Sequence, residues 1–448
     1  MTADGYPKPS YAWTVAAILF ATAILSYTDR QVLSLLVDPI RGELGISDAQ
    51  VALLQGPAFA LVYGCAGILL GYLADRVSRR NLILAGVLVW SLGTLCCGLA
   101  RSFPELFGAR IVVGLGEAVL SPAAISMISD YFPPSRRGTA VGFFLSGIAM
   151  GIGAAIFIGG GVLHFVQLGI FSGTALAGLS AWRLVFLLIG APGLLWAALI
   201  GVIREPVRRA ADAPTPEGIH ARAGAARPAG AALPHPNSVS TLWMRVIPVY
   251  LVVAAASLVD NAVGAWAPSL LIRQFSRDAA QIGLQLGLLL TAGFGGGVLI
   301  GGWLADRAGV RGGWVGKLLV CLGASLLIFP VALSVDSGRF EAVMLAVATY
   351  FALSGCVTAC GFSAILDVVP NRSRGLAMAI SFFLNVALGA GLGPNAVTFA
   401  SERVFGSQGG LGPAISLTVA CGYALAVAAL LIALSSCRKA RTAVHSLD

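Results

Sequence analysis

The chain has 448 residues, of which 57% are hydrophobic and 11% are charged. A water-soluble domain carries roughly 25% charged residues, so this composition excludes an ordinary soluble protein and predicts a surface that mostly faces lipid. The net charge of +9 does not indicate a nucleic-acid partner, because the basic residues concentrate in loops that would lie beside anionic lipid headgroups.

Apolar runs long enough to cross a bilayer follow one another along the chain. A membrane-crossing helix needs about 20 mostly apolar residues. Twelve runs meet this requirement: 11–36, 51–74, 81–100, 104–128, 138–163, 182–203, 245–272, 281–304, 314–335, 342–366, 375–400 and 411–436. The stretch 164–181 is apolar but rich in Gly and Ser, and we predict an outer loop there. The sequence thus predicts an all-α integral membrane protein with 12 transmembrane helices.

The basic residues indicate how these spans are oriented. If the spans alternate in direction, 20 of the 29 Lys and Arg residues lie in segments on the same side as the N-terminus. Such an excess is typical of the cytoplasmic side of a membrane. We therefore predict that both termini are cytoplasmic, in a bacterial-type inner (plasma) membrane.

The longest polar gap divides the chain into two halves. It contains six Pro residues among Ala and Arg, a composition that cannot build a hydrophobic core. The predicted organisation has four parts: an N-terminal six-helix bundle at 1–203, a cytoplasmic linker at 204–244, a C-terminal six-helix bundle at 245–437 and a cytoplasmic tail at 438–448.

Two short motifs occur once in each half. Residues 71–76 (Gly-Tyr-Leu-Ala-Asp-Arg) end the second run, and residues 301–307 (Gly-Gly-Trp-Leu-Ala-Asp-Arg) end the eighth. Residues 130–138 follow the fourth run, and the similar residues 367–375 follow the tenth. Internal repeats of this kind are typical of transporter folds.

Residues 71–80 resemble the signature loop between helices two and three of the major facilitator superfamily. The resemblance implies two six-helix bundles around a central cavity that opens alternately to either side. Residues 27–33 (Tyr-Thr-Asp-Arg-Gln-Val-Leu) and 110–122 are similar to the spinster-like branch, which is linked to proton-driven transport of lysophospholipids and sphingosine-1-phosphate. The anion:cation symporters, which carry small organic acids, share similar patterns in these two helices.

Charged residues inside the predicted spans are candidates for function, because a charge at the bilayer centre costs about 3 kcal/mol. Glu117 lies near the middle of the fourth span, seven residues after Arg110 and on the same helical face. A carboxyl group between apolar surroundings and an arginine can bind and release a proton near neutral pH. We predict Glu117 and Asp29 as proton-coupling residues. The alternative for Glu117 is a permanent ion pair that joins two helices.

Arg30 and Arg110 are predicted to hold the phosphate or carboxylate of a substrate, with neutralisation of Glu117 as an alternative for Arg110. Asp29 and Arg30 could instead only terminate the first helix near the outer surface. Helix packing by a hydrogen-bonded acid is the alternative for Asp260. The full set of predicted substrate-binding residues is Arg30, Arg110, Tyr27, Asp260, Asn261, Trp266 and Asn385.

Charges at the cytoplasmic ends of the spans are predicted to form a conformational latch. By the resemblance, Asp75 contacts the N-terminus of helix eleven, where a carboxylate is favoured, and Asp306 is its symmetric partner. The alternative is that these charges only set the topology. The predicted latch residues are Gly71, Asp75, Arg76, Arg79, Arg80, Asp130, Arg136, Arg137, Asp306, Arg307, Asp367, Arg372 and Arg374.

The sequence predicts a secondary active transporter that moves an amphipathic anionic, lipid-like substrate by proton-coupled alternating access. The alternatives are a proton-coupled symporter of small organic anions and a multidrug efflux antiporter. An enzyme is disfavoured because no nucleophile–base pair or phosphate-binding loop is indicated. We expect a monomer without cofactor or metal, which uses a proton gradient and has a small amphipathic substrate, protons and the lipid bilayer as partners.

Overall fold

The computed structural model describes residues 6–74, 76–174, 176–208, 239–369, 374–406 and 410–445, and within these ranges the chain is helical and contains no β-strand. The α-helices in chain order are α1 Pro9–Gln31, α2 Val37–Leu44, α3 Asp48–Gln55, α4 Pro57–Ala74, α5 Arg79–Leu99, α6 Phe103–Glu117, α7 Leu120–Tyr131, α8 Pro134–Gln167, α9 Ala181–Val202, α10 Val239–Phe275, α11 Ala279–Ser334, α12 Phe340–Val368, α13 Arg374–Leu384, α14 Gly391–Phe399 and α15 Leu411–His445. A 3₁₀-helix, Val32–Leu35, extends α1, and π-helices at Asn385–Ala390 and Ala400–Val404 flank α14.

Polar residues cap several helices where they begin. Ser47 and Gln50 form a capping box before α3. Ser78 accepts a hydrogen bond from the Asn81 N–H before α5, and Asp278 accepts two backbone hydrogen bonds before α11. These caps satisfy N–H groups that the helices themselves leave without partners.

Ten helical stretches of the described residues are long and apolar enough to cross a membrane. The longest, α11, has 56 residues and would extend about 84 Å at a rise of about 1.5 Å per residue, far beyond a hydrocarbon core of about 30 Å. Gly313 interrupts α11 with a φ of 58° and a ψ of −145°, so the segments on its two sides are distinct. The prediction of an all-helical, multi-span membrane protein is confirmed.

Two predicted spans are divided into shorter helices. The run predicted at 51–74 comprises α3 and α4, which meet at Gly56, and the run predicted at 104–128 comprises α6 and α7. A Cβ atom at Gly56 would lie 2.9 Å from the carbonyl oxygen of Ala390 in the first π-helix. This close approach between distant segments leaves no room for a side chain at the break.

Residues 6–208, the first part, and residues 239–445, the second part, touch along glycine-lined faces of α8 and α11. A Cβ atom on Gly160 would lie 2.7 Å from the backbone of Gly283, and one on Gly287 would lie 2.7 Å from the carbonyl oxygen of Gly153. The two backbones are therefore in direct contact, an approach that small residues permit in membrane helices.

Ion pairs join the two parts at one end of the molecule, which we call the Arg273 end. The Arg273 guanidinium donates two hydrogen bonds of 2.8 Å to Asp48 and one of 2.7 Å to Asp38. At the same end, the Gln167 amide donates to the Asp278 carboxylate at 2.6 Å. These contacts tie α2, α3 and α8 of the first part to α10 and α11 of the second.

The opposite end, which we call the Arg79 end, has a different pattern. Arg79 pairs with Asp130 and Glu205, and Lys317 pairs with Asp367. Each of these ion pairs joins residues of the same part of the chain. Within the described ranges, ion pairs between the two parts therefore occur only at the Arg273 end.

The 204–208 strap, the start of the predicted linker, is held against the first part. The Arg204 N–H donates to the Tyr11 hydroxyl at 2.9 Å. The Arg208 side chain donates to the Val77 carbonyl at 2.6 Å. The strap is thus an ordered extension of α9, and the next residues of the predicted linker lie outside the described ranges.

Candidate substrate and proton site

The centre of the first part holds an ion pair between α1 and α6. Arg30, in the last turn of α1, donates to the same oxygen of Glu117 from Nη2 at 2.8 Å and from Nε at 3.2 Å. The Arg30 side chain is 9% exposed and that of Glu117 is 0% exposed. We expected Arg110 as a possible partner of Glu117, but Arg30 takes that place. Removal of either charge would leave the other buried and unpaired.

Three aromatic rings surround the Arg30 guanidinium. Its central carbon lies 4.4 Å from the ring centre of Tyr27, 4.2 Å from that of Phe59 and 4.8 Å from that of Tyr63. Aromatic faces attract cations at these distances. The rings therefore help to fix the guanidinium in place. Tyr27 belongs to the predicted site, whereas Phe59 and Tyr63 do not.

Arg110 is engaged within the protein. Its guanidinium donates to the carbonyl oxygens of Asp29 and Leu54, both at 3.3 Å. Both carbonyls lie in the last turn of a helix, where such oxygens lack a helical partner. Arg110 is 1% exposed, so this geometry favours a structural role over contact with a substrate.

Asp29 lies next to Arg30 in α1, but it is not paired. The residue is 1% exposed, and neither carboxyl oxygen has a hydrogen-bond partner among the described residues. A carboxyl group in such surroundings needs a proton or a cation, because an isolated charge in the membrane is costly. A role for Asp29 in proton coupling is compatible with this geometry and stays a prediction.

A small polar cleft lies between the two parts of the chain beside Arg30. Amide and hydroxyl side chains in its wall can bind hydroxyl groups or anions. The Gln55 amide reaches across it to the Ala265 carbonyl at 3.5 Å. Its lining residues are Arg30, Gln31, Ser34 and Gln55 from the first part and Asn261, Ala265 and Pro394 from the second.

Of the substrate residues predicted in the second part, only Asn261 is among those that line the cleft. Trp266 is buried, and its indole N–H donates to the Pro394 carbonyl at 3.0 Å. Asp260 accepts two hydrogen bonds from hydroxyl groups of α12. Asn385 is the first residue of a π-helix, and its carbonyl accepts a hydrogen bond from α10.

Three of the predicted latch residues cluster at the Arg79 end. Arg79 is 2% exposed and donates to Asp130, to Glu205 at 2.9 Å and to the Ser126 carbonyl at 3.2 Å. The Arg80 N–H donates to the other oxygen of Glu205 at 2.8 Å. The cluster thus holds α5, α7 and the 204–208 strap together.

Glu205 accepts three hydrogen bonds in this cluster, from the Ser78 hydroxyl, the Arg79 guanidinium and the Arg80 N–H. Burial alone would raise the pKa of Glu205, but donors from the Arg80 N–H, the Arg79 guanidinium and the Ser78 hydroxyl hold that pKa below its usual range. Glu205 was not among the predicted residues, because a single acid in a polar, Pro-rich segment carries no distinguishing signal.

Those of the remaining latch residues that the structure describes do not form one cluster. Arg76 and Arg307 are exposed and lie over nearby aromatic rings at 4.1 and 4.3 Å. Asp367 pairs at 2.6 Å with Lys317, which the prediction did not include. Gly71 packs near α7, and Asp306 and Arg136 are exposed. Asp75, Arg372 and the side chains of Arg137 and Arg374 lie outside the described residues.

The described part of the chain has several helices that can cross a membrane. Its two parts are joined by backbone contact, and a polar cleft lies between them. Together these features define a membrane transport protein. The model of the Major Facilitator Superfamily matches residues 19–394. The chain belongs to this superfamily.

Similar proteins place the chain among transporters. It is 28% identical over 421 residues to an MFS-type efflux pump of Mycolicibacterium smegmatis, across 92% of this chain and 90% of that protein. It is 27% identical over 318 residues to a D-galactonate transporter of Escherichia coli, across 68% and 70%.

Solved structures of a bacterial homologue of the human lysosomal transporter Spinster share the fold. Its inward-facing unoccupied and occupied forms match with TM-scores of 0.70 and 0.69 at 24% and 25% identity, each across 96% of both chains. The predicted superfamily and the resemblance to the spinster-like branch are confirmed.

Proposed function

We propose that the protein couples the movement of an organic anion to that of a proton, with Arg30 as the anion-binding residue and Glu117 as the proton carrier. The observation that carries this proposal is the Arg30–Glu117 ion pair, because Arg30 also lines the cleft. A substrate anion and Glu117 compete for the same N–H donors. When the anion binds Arg30, Glu117 loses its counter-charge and binds a proton, and it releases the proton when the anion leaves. Anion and proton therefore travel together.

The cleft favours a small, hydroxyl-rich anion of the sugar-acid type. Gln31, Gln55 and Asn261 supply amides, and Ser34 supplies a hydroxyl. These groups can donate to and accept from sugar hydroxyls while Arg30 binds the carboxylate. The similarity to a D-galactonate transporter supports this substrate class.

An amphipathic anionic lipid, the substrate class predicted first, is the second candidate. Its headgroup would bind Arg30, and the rings of Tyr27, Phe59 and Tyr63 would supply apolar contact. The shared fold with the spinster homologue supports this candidate. Multidrug efflux stays a prediction, and the similarity to an efflux pump supports it.

For the architecture we propose 12 spans in two six-helix bundles. The interruption at Gly313 would add one span to the ten, and the helical run from Arg374 to Val404 would add another. The bundles would comprise 1–203 and 245–437 of a monomer. With both termini cytoplasmic, the closed Arg273 end would face outward, and the protein would be in an inward-facing state.

The test uses liposomes that contain the purified full chain under an imposed pH gradient. Labelled D-galactonate and a labelled lysophospholipid are followed with wild type, Glu117→Gln and the control Glu341→Gln. Glu341 is an exposed residue in the first turn of α12. We expect D-galactonate to accumulate in wild type and control, and Glu117→Gln to lose about 10-fold or more of the gradient-driven rate. Exchange without a gradient should persist in this variant, because Gln resembles the protonated acid.

The outcomes separate the candidates. Gradient-driven movement of the lysophospholipid alone would favour the lipid candidate. Full gradient-driven transport in Glu117→Gln would contradict the proton role of Glu117. If neither probe moves in wild type, both substrate assignments are wrong.

A further inference from the structure

Asp260 is the one acidic residue of the second part that lies in the middle of a described span. It belongs to α10, which runs from Val239 to Phe275. The other described acids of the second part lie at or near helix ends, in loops or, for Asp306, close to the interruption of α11 at Gly313. They are Asp278, Asp306, Asp336, Glu341, Asp367 and Glu402. A carboxyl group at this depth is costly unless it serves a function or has a partner.

The internal repeat relates Asp260 to Asp29. Asp29 precedes Asp75 by 46 residues, and Asp260 precedes Asp306 by the same 46 residues. Since Asp75 and Asp306 are equivalent positions of the repeated motif, Asp260 occupies the place in the second part that Asp29 has in the first. The residue after each aspartate differs between the two parts. Arg30 follows Asp29, whereas Asn261, an uncharged amide, follows Asp260. The second part thus repeats the carboxyl group without the arginine.

The two oxygens of the Asp260 carboxyl group have different surroundings. Oδ1 accepts a hydrogen bond of 2.7 Å from the Tyr350 hydroxyl and one of 2.5 Å from the Ser354 hydroxyl, both of α12. Oδ2 has no hydrogen-bond partner among the described residues, and Asp260 is partly exposed. No ion pair with a described basic residue neutralises it. One oxygen is therefore anchored, and the other is available.

The neighbouring helices supply polar but uncharged groups. On α15, the buried Tyr423 ring lies edge-on to that of Tyr350 at 6.2 Å, and its hydroxyl has no hydrogen-bond partner among the described residues. On α11, the Cys321 thiol donates to a backbone carbonyl of α12. The next residue of α10, Asn261, adds an amide whose nitrogen donates to the Ser257 carbonyl. The described surroundings of Asp260 thus contain hydroxyl, thiol and amide groups and no formal charge.

We propose that Asp260 is a proton-binding site of the second part, separate from the Arg30–Glu117 pair. A proton from the aqueous side adds to Oδ2 of the carboxylate and neutralises it, and no other bond breaks. The hydrogen bonds from Tyr350 and Ser354 end on Oδ1, so they persist in both protonation states and keep α10 against α12. The ligand is a proton rather than a metal cation, because a metal site needs several ligands and the described residues contain no group of three or more His, Cys, Asp or Glu side chains that could hold a metal ion. This inference goes beyond the proposed function, which assigns a proton to Glu117 only.

The test is infrared difference spectroscopy of the full chain in lipid nanodiscs, titrated from about pH 4 to about pH 9. The signal is the carbonyl band of the protonated carboxylic acids, so no substrate is needed. Wild type is compared with Asp260→Asn, Glu117→Gln and the exposed control Glu341→Gln. We expect Asp260→Asn to lose one pH-dependent band that Glu117→Gln and the control both keep.

A second variant retains the carboxyl group in case Asp260→Asn does not fold. Tyr350→Phe removes one donor to the ionised form, so the midpoint of the Asp260 band should move to higher pH by about one unit. An unchanged spectrum in Asp260→Asn, or an unchanged midpoint in Tyr350→Phe, would overturn the proposal. So would a midpoint that shifts when sodium replaces potassium at constant ionic strength, since this would indicate a sodium site. The spectra do not depend on transport. A negative result in the uptake assay, which tests the proposed function, would therefore not affect the conclusion about Asp260.

Discussion

Arg30 and Arg110 have different surroundings although both are arginines within apolar runs. Arg30 keeps part of its side chain at the cleft and binds an acid and three rings. Arg110 is buried and donates to main-chain oxygens at the ends of α1 and α3. The first arrangement leaves donors that a ligand can compete for, and the second uses them for the fold.

Replacement of each arginine by lysine separates these roles. Lysine cannot reproduce the planar fork that reaches several carbonyls, so Arg110→Lys should lose about 2 kcal/mol of stability. Thermal unfolding in detergent measures this loss. Arg30→Lys is the matched variant, and it should weaken anion binding by about 10-fold or more. If the Arg110→Lys protein is stable but does not bind substrate, Arg110 is a substrate-binding residue and the structural role is wrong.

At this scale the sequence revealed the charged residues but not their partners. Asp29, Arg30 and Glu117 stand out because a charge within an apolar run is rare. Phe59, Tyr63 and Gln55 are ordinary residues of a membrane helix, and only the three-dimensional contact with Arg30 or the cleft distinguishes them. The pairing of Glu117 with Arg30 depends on how α1 and α6 cross, which residue spacing within one helix does not reveal.

Among the elements, the 204–208 strap has contacts that the sequence does not reveal. The sequence composition indicates a linker from residue 204 onward. Glu205, among the first residues after α9, binds the start of α5. Composition describes the average of a segment, so it could not reveal five residues whose hydrogen bonds are specific.

The Glu205 contacts predict a pH-dependent stability. Because the pKa of Glu205 is lowered in the folded protein, its contribution is complete above the ordinary value of 4.5 and is lost as the pH falls through the lowered value. Glu205→Gln should be less stable than wild type by about 1 kcal/mol at neutral pH, and the difference should shrink in acid. Thermal unfolding at neutral and acidic pH, with Glu341→Gln as control, measures this. A difference that grows in acid would contradict the assignment.

Some helix boundaries can be predicted from the local sequence, whereas others depend on contacts between distant segments. Apolar length located most of the described spans to within a few residues, since bilayer thickness sets that length. The exception is the span predicted at 281–304, because α11 continues past residue 304 to the interruption at Gly313. The break at Gly56 has a local signal, because the next residue is Pro57, which has no backbone N–H to donate within a continuous helix. The close contact of Gly56 with the π-helix opposite it depends on how the two parts pack, and the sequence does not reveal it.

At the scale of the whole molecule, the two parts are tied at the Arg273 end and meet along α8 and α11. Asp38, Asp48 and Arg273 looked like ordinary loop charges in the sequence. The family resemblance implied two alternating states, but it could not indicate which end is closed. That depends on ion pairs between residues more than 200 positions apart.

Charge reversal at Arg273 should open this end. Arg273→Glu would place a third acid beside Asp38 and Asp48, and the repulsion should raise the population of the state open at the Arg273 end about 10-fold or more. Spin labels at residues 168 and 281, in a background without native cysteines, would report this as a longer distance. Arg273→Glu combined with Asp48→Arg should restore the short distance. An unchanged distance in Arg273→Glu would mean that the remaining contacts, the glycine contact and the Gln167–Asp278 hydrogen bond, hold the end closed without Arg273.

The glycine contact between α8 and α11 also limits how this sequence can diverge. Gly160 and Gly283 face each other backbone to backbone, and glycine is already the smallest residue. A larger side chain at one position therefore cannot be compensated by a smaller side chain at the other. The two positions cannot change together as a compensating pair of substitutions. Gly142, Gly295 and Gly302 face open space, and nothing in their surroundings opposes an added methyl group. Glycines within the same membrane helices are thus fixed at some positions and free to drift at others. Among the fixed ones, Gly160 and Gly283 mark a place where the two parts of the chain must touch.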